Sequence, residues 1–455
     1  MPRTFKLRFL VVLAVGVIAL LVSLQSTLNA AESSTSPPPH ISSSQETSLP
    51  ANWQPVPSHR SDRRGIKVVW LQGTPYEMGY QHGTLLHAEI ATLGREVINA
   101  LGLFGRGLGL GQFALRRTYD DVAEECRGLV DATKDLGMTQ DTCLVLALGD
   151  VYQEFFTYTL PDILFHDGCS NFVMADKATA DGRLYHGRSL EQNKKPLGYW
   201  LKNTTVFVRQ PNDGLPHVFI AVPGVVWPNS GMNIEGITTS LDTAHPINVG
   251  ELALYGRSNV QLMAQIMKHA TSYEDARQFL ESERRMRANL IIVSDGKAHK
   301  AGVFEMTGRS MAVRELSEDG VLYMTNHFVS PDMVNKDSDP PSVSSPVRLE
   351  RFKQLLEPNG LDSKYGQITP AKIVEILRDR INPYTFKESP ADIYDDDSSL
   401  GTNGSLRQVV FDPERLRFWI AAGKVPVPQQ PFVCFSLGDM LGLPNATPCE
   451  APVIQ

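Results

Sequence analysis

The sequence changes character at one point, the segment DGCSNF at residues 167–172. Upstream, residues 74–160 carry mainly helical patterns. Downstream, SNFVMADKATADGRLYHGRSLE is typical of a strand, an Asp-Gly turn and a second strand, and further short strands follow. Because most of these strands are joined by short polar loops, with paired helices between groups of them, the sequence predicts antiparallel sheets in a layered α+β fold.

The composition excludes some classes of function. The 455 residues carry a net charge of −7, with no block of Lys and Arg beyond the first few residues, which argues against nucleic-acid binding. The sequence has no P-loop, HExxH or CxxC motif, so we expect no cofactor and no metal. It also lacks the GxSxG motif of α/β serine hydrolases.

The N-terminus is predicted to direct export. Arg3, Lys6 and Arg8 precede an unbroken apolar run over residues 9–22, which is the pattern of a secretory signal. That run is short for a membrane-spanning helix, which needs about 20 apolar residues. We therefore predict a signal peptide or membrane anchor over residues 1–31, cleaved or retained, and a chain that is secreted, periplasmic or attached to the membrane by this segment.

The ordered part of the chain is predicted to begin near residue 66. Residues 32–65 are rich in Ser, Thr and Pro and are typical of a flexible linker. A short strand is predicted over residues 66–71, and the helix after it starts with a capping box and an early proline, at Thr74, Pro75 and Glu77. Gly79 and Gly83, four residues apart, predict that another element packs closely on one face of this helix.

The odd number of cysteines predicts one thiol outside any disulfide. The five cysteines are Cys126, Cys143, Cys169, Cys434 and Cys449. In an exported chain the two pairs that lie close in sequence, 126 with 143 and 434 with 449, would form disulfides and leave Cys169 over. The alternative is that some of them remain buried thiols.

Three sequons, at Asn203, Asn403 and Asn445, are glycosylation acceptors if the host glycosylates exported proteins.

Cys169 is the candidate nucleophile, but its sequence neighbourhood supplies no convincing base. A catalytic cysteine usually needs a histidine within reach, and neither His166 nor His186 forms a papain-like signature with it. If the Gly168–Cys169 peptide bond is cut, the new α-amino group, with a reference pKa of about 7.7–8.0, can act as the base. The thiol can make this cut by an N→S acyl shift, and Gly168 permits the strained turn that would expose its carbonyl.

These motifs resemble a known family. DGCSNFVMADKATADGRLYHGRSLE resembles the autoprocessed start of cysteine N-terminal-nucleophile (Ntn) hydrolases, and most closely the acyl-CoA:6-aminopenicillanic acid acyltransferase-like family, peptidase family C45. The other resembling motifs, spread over most of residues 66–440, are YEMGYQHG, GMNIEGITTSLD, TNHF, SPVRLERF and the closing strands from SLRQVVFD. The resemblance implies a four-layer αββα sandwich with two antiparallel sheets. Residues 66–168 would be a helical α part and residues 169–455 the catalytic β part.

The resemblance also implies roles for two residues of GRSLE. The related choloylglycine hydrolases and acid ceramidases carry a similar G-R-N-x-D element, which places Arg188 beside the nucleophile and makes Glu191 the acid that binds the new amino group. A nearby cation lowers a thiol pKa, and a carboxylate holds an ammonium in place. Because strand side chains alternate, both residues can reach Cys169 only if the strand ends or bulges near Ser189. The alternative is an ordinary ion pair at a strand end.

Three further positions match the family pattern. Asp242 stands where the family usually has an oxyanion-donating Asn, and an ionised Asp cannot donate, so a backbone N–H, a protonated Asp242 or Thr243 would take the role. Asn326 matches a second Asn that donates to the oxyanion, or is a turn-forming Asn. Arg348 matches an Arg near the site, or is a solvated helix residue.

The predicted function is that of an autoproteolytically activated N-terminal-cysteine hydrolase or acyltransferase. It would act on linear amides, esters or thioesters through an acyl-Cys169 intermediate, with a small acyl-amide or acyl-thioester as substrate, and its α and β fragments would stay associated. One alternative is a ceramidase- or bile-salt-type amide hydrolase. Another is a catalytically inactive exported binding or scaffold protein with the same fold.

Overall fold

The structure is a computed structural model that describes residues 49–94, 98, 110–148, 167–192, 198–244, 251, 253, 255–337, 344–389, 399–444, 446, 448–449 and 452–455. The predicted signal or anchor, most of the predicted linker, His166 and Asn445 lie outside these residues. Within them, no helix is both long and apolar enough to cross a membrane.

The helices are labelled in chain order over the described residues. They are α1 Pro75–Leu85, α2 His87–Ala91, α3 Leu110–Leu115, α4 Asp120–Thr133, α5 Gln140–Ala147, α6 Gly198–Lys202, α7 Asn259–His269, α8 Tyr273–Ser282, α9 Ser344–Leu356, α10 Pro370–Leu377 and α11 Leu437–Met440.

The strands are labelled in the same way. They are β1 His59–Arg60, β2 Lys67–Gly73, β3 Asp167–Asp176, β4 Gly182–Gln192, β5 Thr205–Pro211, β6 His217–Ala221, β7 Ser230–Asn233, β8 Ile237–Thr243, β9 Asn289–Asp295, β10 Lys300–Met306, β11 Met311–Glu315, β12 Val321–Met324, β13 Ser405–Asp412, β14 Arg417–Ala422, β15 Phe432–Ser436 and β16 Val453–Ile454.

The strands form two sheets. A nine-stranded sheet has the order β1-β2-β5-β6-β7-β8-β9-β10-β11, and a seven-stranded sheet has the order β12-β3-β4-β13-β14-β15-β16. The described pairings are antiparallel except that β2 lies parallel to β5. The prediction of two antiparallel sheets therefore holds apart from this pair, whose strands are joined by the long connection that a parallel pair requires.

The structure has four layers, and four apolar clusters lie between them. One cluster joins the inner faces of the two sheets through β5, β6, β13 and β14, and a second joins them through β3, β9 and β10. The outer face of the nine-stranded sheet packs against α1, α4, α5, α7 and α8. The outer face of the seven-stranded sheet packs against α9 and α10. The predicted αββα sandwich is confirmed, and its strands alternate between an inter-sheet face and a helix-covered face.

The first helix starts and packs as its sequence predicts. Thr74 and Glu77 form a reciprocal capping box at the start of α1. A Cβ added to Gly79 would lie 2.0 Å from the carbonyl oxygen of Glu125 in α4, so the two helices approach more closely than any side chain would allow. Gly83 faces the same helix, with Ala132 Cβ 2.6 Å from its virtual Cβ.

The predicted α part is not only helical, because it also supplies a strand to the larger sheet. Seven residues of β2 pair with β5, which lies on the other side of Cys169 in the sequence. A buried ion pair between Glu125 and Arg209, 2.6 Å apart, joins the same two parts. These contacts would hold two fragments together after a cut, although the division of the chain at Cys169 stays a prediction.

Both pairs of neighbouring cysteines form disulfides in the structure. They join Cys126 to Cys143, at a sequence separation of 17, and Cys434 to Cys449, at a separation of 15. Cys169 takes part in neither. Each disulfide lies entirely on one side of Cys169, so neither would link the two fragments covalently.

We expect removal of the first disulfide, by Cys126→Ser with Cys143→Ser, to cost about 3 kcal/mol of unfolding free energy, because the open chain gains loop entropy when unfolded. Denaturant unfolding of the purified protein measures the change. The second disulfide closes a loop of similar length, so Cys434→Ser with Cys449→Ser should lower the unfolding free energy by a similar amount. Unchanged midpoints in both would show that these cysteines are reduced in the native protein.

Two predicted glycosylation sites are buried. Asn203 is 8% exposed and Asn403 is 2% exposed, and the Asn403 side-chain oxygen accepts a hydrogen bond from Arg380. A glycan is bulky and needs a surface position, so the folded chain has no room for one at either residue. The sequon pattern does not distinguish buried asparagines from exposed ones.

A histidine joins the two sheets at the end of the sandwich where β3 finishes. His299, between β9 and β10, contacts Asp176 through Nδ1 at 2.5 Å and Glu414 through Nε2 at 2.9 Å. Partial burial lowers the pKa of His299, but the hydrogen bonds and charges of the two carboxylates outweigh it and raise the pKa above its usual 6.5.

We expect this contact to stabilise the fold at acidic pH. A folded pKa above the unfolded value means that the contribution is complete below about pH 6.5 and disappears as the pH rises through the folded pKa. His299→Gln should therefore lower stability by about 0.5–1 kcal/mol in mildly acidic buffer and by less in alkaline buffer. Thermal unfolding across this range tests it, and an equal loss at every pH would contradict the ionic contribution.

Candidate active site

Cys169 lies near the start of β3, with its side chain between the sheets. It is 5% exposed. Its backbone N–H donates to Asn326 Oδ1 at 2.8 Å, and its carbonyl oxygen accepts from Arg348 Nη1. Both backbone polar groups of Cys169 are therefore fixed by buried side chains.

The expected strained turn at Gly168 is absent. Gly168 is part of β3 and pairs with Glu191 of β4, because the ladder between these strands continues to the pair formed by Asp167 and Gln192. The scissile bond predicted from the sequence therefore lies inside a regular antiparallel pair.

The site lies at one end of the sandwich, where strands of both sheets start or finish. From the smaller sheet, β3 and β13 begin there and β4 ends there; from the larger sheet, β7 begins there and β6 and β8 end there. This topology brings together residues that are more than 200 positions apart in the sequence.

Arg188 lies on the same face of the smaller sheet as the Cys169 side chain. It is 1% exposed and opposes Asn171 in the β3–β4 ladder, one pair along from Cys169 on that face. Its guanidinium donates to Ser230 Oγ and to the carbonyl oxygen of Leu241, both at 2.9 Å. Arg188 thus bridges the two sheets beside Cys169.

Glu191 points to the other face of β4. The pairing of β3 with β4 is regular from Arg188 to Glu191, so the bulge expected near Ser189 is absent, and the irregularity lies instead in β13, between Ser405 and Arg407. Glu191 Oε2 lies 4.0 Å from Arg348 Nε on the helix-covered face. The condition on which the sequence prediction depended is therefore not met, and strand alternation places Arg188 and Glu191 on opposite sides of the Cys169 backbone.

Arg348 is a buried part of the site rather than a solvated helix residue. It is 1% exposed and extends from α9 to the start of β3. Besides the Cys169 carbonyl, it donates to Ser170 Oγ at 2.9 Å and to Asn326 Oδ1 at 2.8 Å. Arg348 fixes the backbone around Cys169 and forms an ion pair with Glu191.

Asn326 positions Cys169. Its Oδ1 accepts from both the Cys169 N–H and Arg348, and its Nδ2 donates to the carbonyl oxygen of Thr243 at 2.9 Å. The sequence predicted a donor to an oxyanion, but one N–H of the amide is already used for Thr243. The geometry makes Asn326 the residue that holds the Cys169 nitrogen, the group that would become the α-amine.

Asp242 is completely buried on β8, opposite the smaller sheet. Its Oδ1 accepts a hydrogen bond from Asn171 Nδ2 at 2.5 Å, and its Oδ2 has no hydrogen-bond partner. Burial raises the pKa of Asp242 to about 8, against the opposing charges of Arg188 and Arg348. A protonated Asp242 is a donor, so the second of the three sequence alternatives fits its surroundings.

His186 is not the base of Cys169. It is fully buried, and burial followed by the charge of Arg188 lowers its pKa to about 3. Its Nε2 lies 3.3 Å from Asn171 Oδ1 and its Nδ1 lies 2.8 Å from Thr238 Oγ1. His186 therefore orients the amide of Asn171, which in turn meets Asp242.

Sequence reasoning missed Asn171 and Arg407. Asn171 is two residues after Cys169, so its place on the same strand face was available from strand alternation. Arg407 is fully buried and donates to the Ala221 carbonyl oxygen and to Asn229 Oδ1, both at 2.9 Å. Nothing local in SLRQVVFD marks Arg407, because its position depends on how three strands pair.

No group of three or more His, Cys, Asp or Glu side chains in the described ranges is arranged to hold a metal ion. The chemistry available at this end of the sandwich is that of one thiol, three buried arginines, two buried carboxyl groups and several amides.

Solved structures similar to this chain include an acid amidase, a bile acid hydrolase and a penicillin acylase. A Caenorhabditis elegans N-acylethanolamine-hydrolyzing acid amidase ortholog is 14% identical and covers 59% of this chain and 99% of its own, with a TM-score of 0.39. A Clostridium perfringens conjugated bile acid hydrolase variant is 11% identical and covers 59% and 96%, with a TM-score of 0.36. Penicillin V acylase from Agrobacterium tumefaciens is 14% identical and covers 59% and 86%, also at 0.36.

Sequence comparison finds a relative and a family. An uncharacterized protein of Archaeoglobus fulgidus is 26% identical over 400 residues, which are 79% of this chain and 64% of that protein, so the match spans less than two thirds of the relative's length. The family model of acyl-coenzyme A:6-aminopenicillanic acid acyl-transferase matches residues 201–425. Residues 201–425 are therefore similar to the acyl-coenzyme A:6-aminopenicillanic acid acyl-transferase family, the family that the sequence motifs resemble.

Proposed function

We propose that this chain is a cysteine Ntn-hydrolase that cuts itself between Gly168 and Cys169 and then transfers acyl groups through Cys169. The observation that carries the proposal is the fixing of Cys169, whose N–H is held by Asn326 and whose carbonyl is held by Arg348, while its side chain lies outside both disulfides. A cysteine nucleophile needs no neighbouring histidine once its own backbone nitrogen has become an α-amine, because that amine can act as the base.

In the self-cleavage step, the Cys169 thiolate attacks the Gly168 carbonyl carbon and the Gly168–Cys169 C–N bond breaks, giving a thioester and an amine that takes up a proton. Water then hydrolyses the thioester, which leaves a Gly168 carboxylate and regenerates the Cys169 thiol. Asn326 holds the nitrogen while it changes from amide to amine.

In turnover, the α-amine accepts the thiol proton as Cys169 attacks the substrate carbonyl. Asp242, protonated, donates from its unpartnered Oδ2 to the oxyanion, and Asn171 holds the other carboxyl oxygen. The protonated α-amine then gives its proton to the leaving group, and water or an amine releases the acyl group. The substrates we propose are linear acyl amides, esters or thioesters.

The direct test is turnover of chromogenic acyl amides and acyl thioesters by purified protein, with and without an added amine acceptor. Release of free acid alone identifies a hydrolase, and transfer to the amine identifies an acyltransferase. Preference for N-acyl lipids or bile-salt conjugates would favour the ceramidase- or bile-salt-type alternative. An intact chain that binds acyl amides without turnover would favour the inactive binding protein.

We also propose that the protein is exported. The signal-like N-terminus and the two disulfides support this, because disulfides persist in oxidising compartments. The N-terminal residues of the mature protein would test removal of the signal and the internal cut in one measurement.

A further inference from the structure

Arg188 and Arg407 are two buried arginines whose described hydrogen bonds all go to neutral oxygen atoms. Arg188 donates to a serine hydroxyl and a backbone carbonyl, and Arg407 donates to a backbone carbonyl and an asparagine amide. The Nε–H of each is buried and has no hydrogen-bond partner. Arg348, by contrast, forms an ion pair with the carboxylate of Glu191.

A buried cation is costly unless an anion lies nearby. The desolvation of one guanidinium amounts to several kcal/mol, and a second guanidinium close by adds repulsion. Burial, and then the charge of Arg188, lower the pKa of Arg407 to about 9, whereas Cys169 acts in the opposite direction. A negative charge on this face would therefore favour both guanidinium groups.

The pairing of three strands places Cys169 in line with Arg407. Cys169 of β3 opposes Leu190 of β4, and Leu190 opposes Arg407 of β13, so the three residues form one row across the sheet and share its inter-sheet face. Arg188 lies next to this row on the same face, two residues before Leu190. The side chains of the two arginines therefore start from positions next to Cys169 on one face of the sheet.

We propose that Arg407, together with Arg188, stabilises the thiolate of Cys169. The inference rests on the proposed function, in which Cys169 is the nucleophile. In the mature enzyme the thiol proton passes to the Cys169 α-amine, and the negative charge left on sulfur offsets the buried guanidinium charges. Neither arginine exchanges a proton in this step.

The competing explanation is that Arg407 is only a structural bridge from β13 to Ala221 and Asn229 of the larger sheet. A bridge affects stability and leaves the titration of a neighbouring thiol unchanged. A charge that acts on sulfur moves that titration even in a variant that folds normally.

The protein allows this titration to be measured cleanly, because the other four cysteines are in disulfides and Cys169 supplies the thiolate signal. Thiolate ultraviolet absorbance is recorded from about pH 5 to about pH 9, below the range where tyrosine ionises. The same protein alkylated at Cys169 provides the baseline. The rate of alkylation by iodoacetamide against pH gives a second, independent reading.

Arg407→Met should raise the titration midpoint of Cys169 by about one pH unit, which leaves roughly tenfold less thiolate below the midpoint. Arg407→Lys, which keeps the charge, should recover most of the shift. The matched control is Arg285→Met, since Arg285 is also buried and donates to backbone carbonyls at Leu280 and Glu283, away from β3.

An unchanged midpoint in a folded Arg407→Met protein would overturn the inference, as would an equal shift in Arg285→Met. Thiolate titration needs no turnover. If the protein is inactive on every acyl substrate but Arg407→Met still raises the titration midpoint, the proposed function is refuted and the inference about the thiolate stands. If Arg407→Met does not fold, Arg407→Gln and Arg407→Lys are compared with wild type in its place.

Discussion

Purified wild-type protein should separate into two fragments on a denaturing gel, and Cys169→Ala should run as one chain with no acyl transfer. The substitution removes the only proposed nucleophile for both the internal cut and turnover, so both activities should fall to background. Because each disulfide lies within one fragment, the two bands should separate even without a reducing agent. N-terminal sequencing of the larger fragment should begin at Cys169.

The fragments should nevertheless elute together under native conditions. β2 of the upstream fragment pairs with β5 of the downstream one, and Glu125 forms a buried ion pair with Arg209 across the same division. Removing one member of such a buried pair typically costs about 3–5 kcal/mol. Glu125→Gln should therefore weaken the association of fragments already cut.

A matched control separates loss of a nucleophile from loss of a cysteine. Cys434→Ser with Cys449→Ser removes two cysteines far from the site in sequence and should still be cut. A wild-type chain that stays intact and still turns over acyl amides would contradict the free-amine mechanism. A Cys169→Ala chain that is still cut would assign the cleavage to a contaminating protease.

The sequence was informative where structure depends on local patterns. The capping box at Thr74 and the close packing at Gly79 follow from residues within one helix turn. The hairpin of β3 and β4 follows from alternating residues around an Asp-Gly turn, in which Gly182 has a φ of +77°. The face on which Arg188 lies relative to Cys169 depends, in contrast, on the register of this hairpin, which shifts between Met174 and Asp176.

Other parts of the site depend on pairing between distant segments. The parallel pair of β2 and β5 joins segments on either side of the predicted cut, and no local pattern encodes it. Arg407 shares a row with Cys169 only through the register of β13 with β4. Strand alternation correctly separates Glu191 from Arg188, but it does not reveal that Arg348 from a distant helix lies beside Glu191.

The Asp242→Asn variant should remain active, and it should not show the loss of activity at alkaline pH that we expect for wild type. In the proposed mechanism a protonated Asp242 donates to the oxyanion, and because burial raises the pKa of Asp242 to about 8, turnover should fall as the pH rises through that value. An asparagine offers an N–H donor at every pH. The acidic side of the profile, set by the α-amine of Cys169, should stay where it is.

The stability of the fold should depend on the same ionisation of Asp242. The folded pKa of Asp242 lies above its unfolded value of about 3.9, so the folded state binds the proton more tightly. The fold should therefore lose stability as the pH rises from about 4 towards 8, and Asp242→Asn should reduce this loss. Arg188 and Arg348 oppose the effect through their charges, and Glu191 reinforces it.

Asp242→Leu supplies the matched comparison, because it keeps the same branched side-chain skeleton and removes the donor. Turnover should fall by about 10²–10³-fold, the usual effect of removing one oxyanion donor. Rates of acyl-amide hydrolysis against pH for wild type, Asp242→Asn and Asp242→Leu decide the matter. If wild type keeps full activity well above pH 8 while Asp242→Asn is inactive, the ionised carboxylate is the working form, and a backbone N–H or Thr243 must stabilise the oxyanion instead.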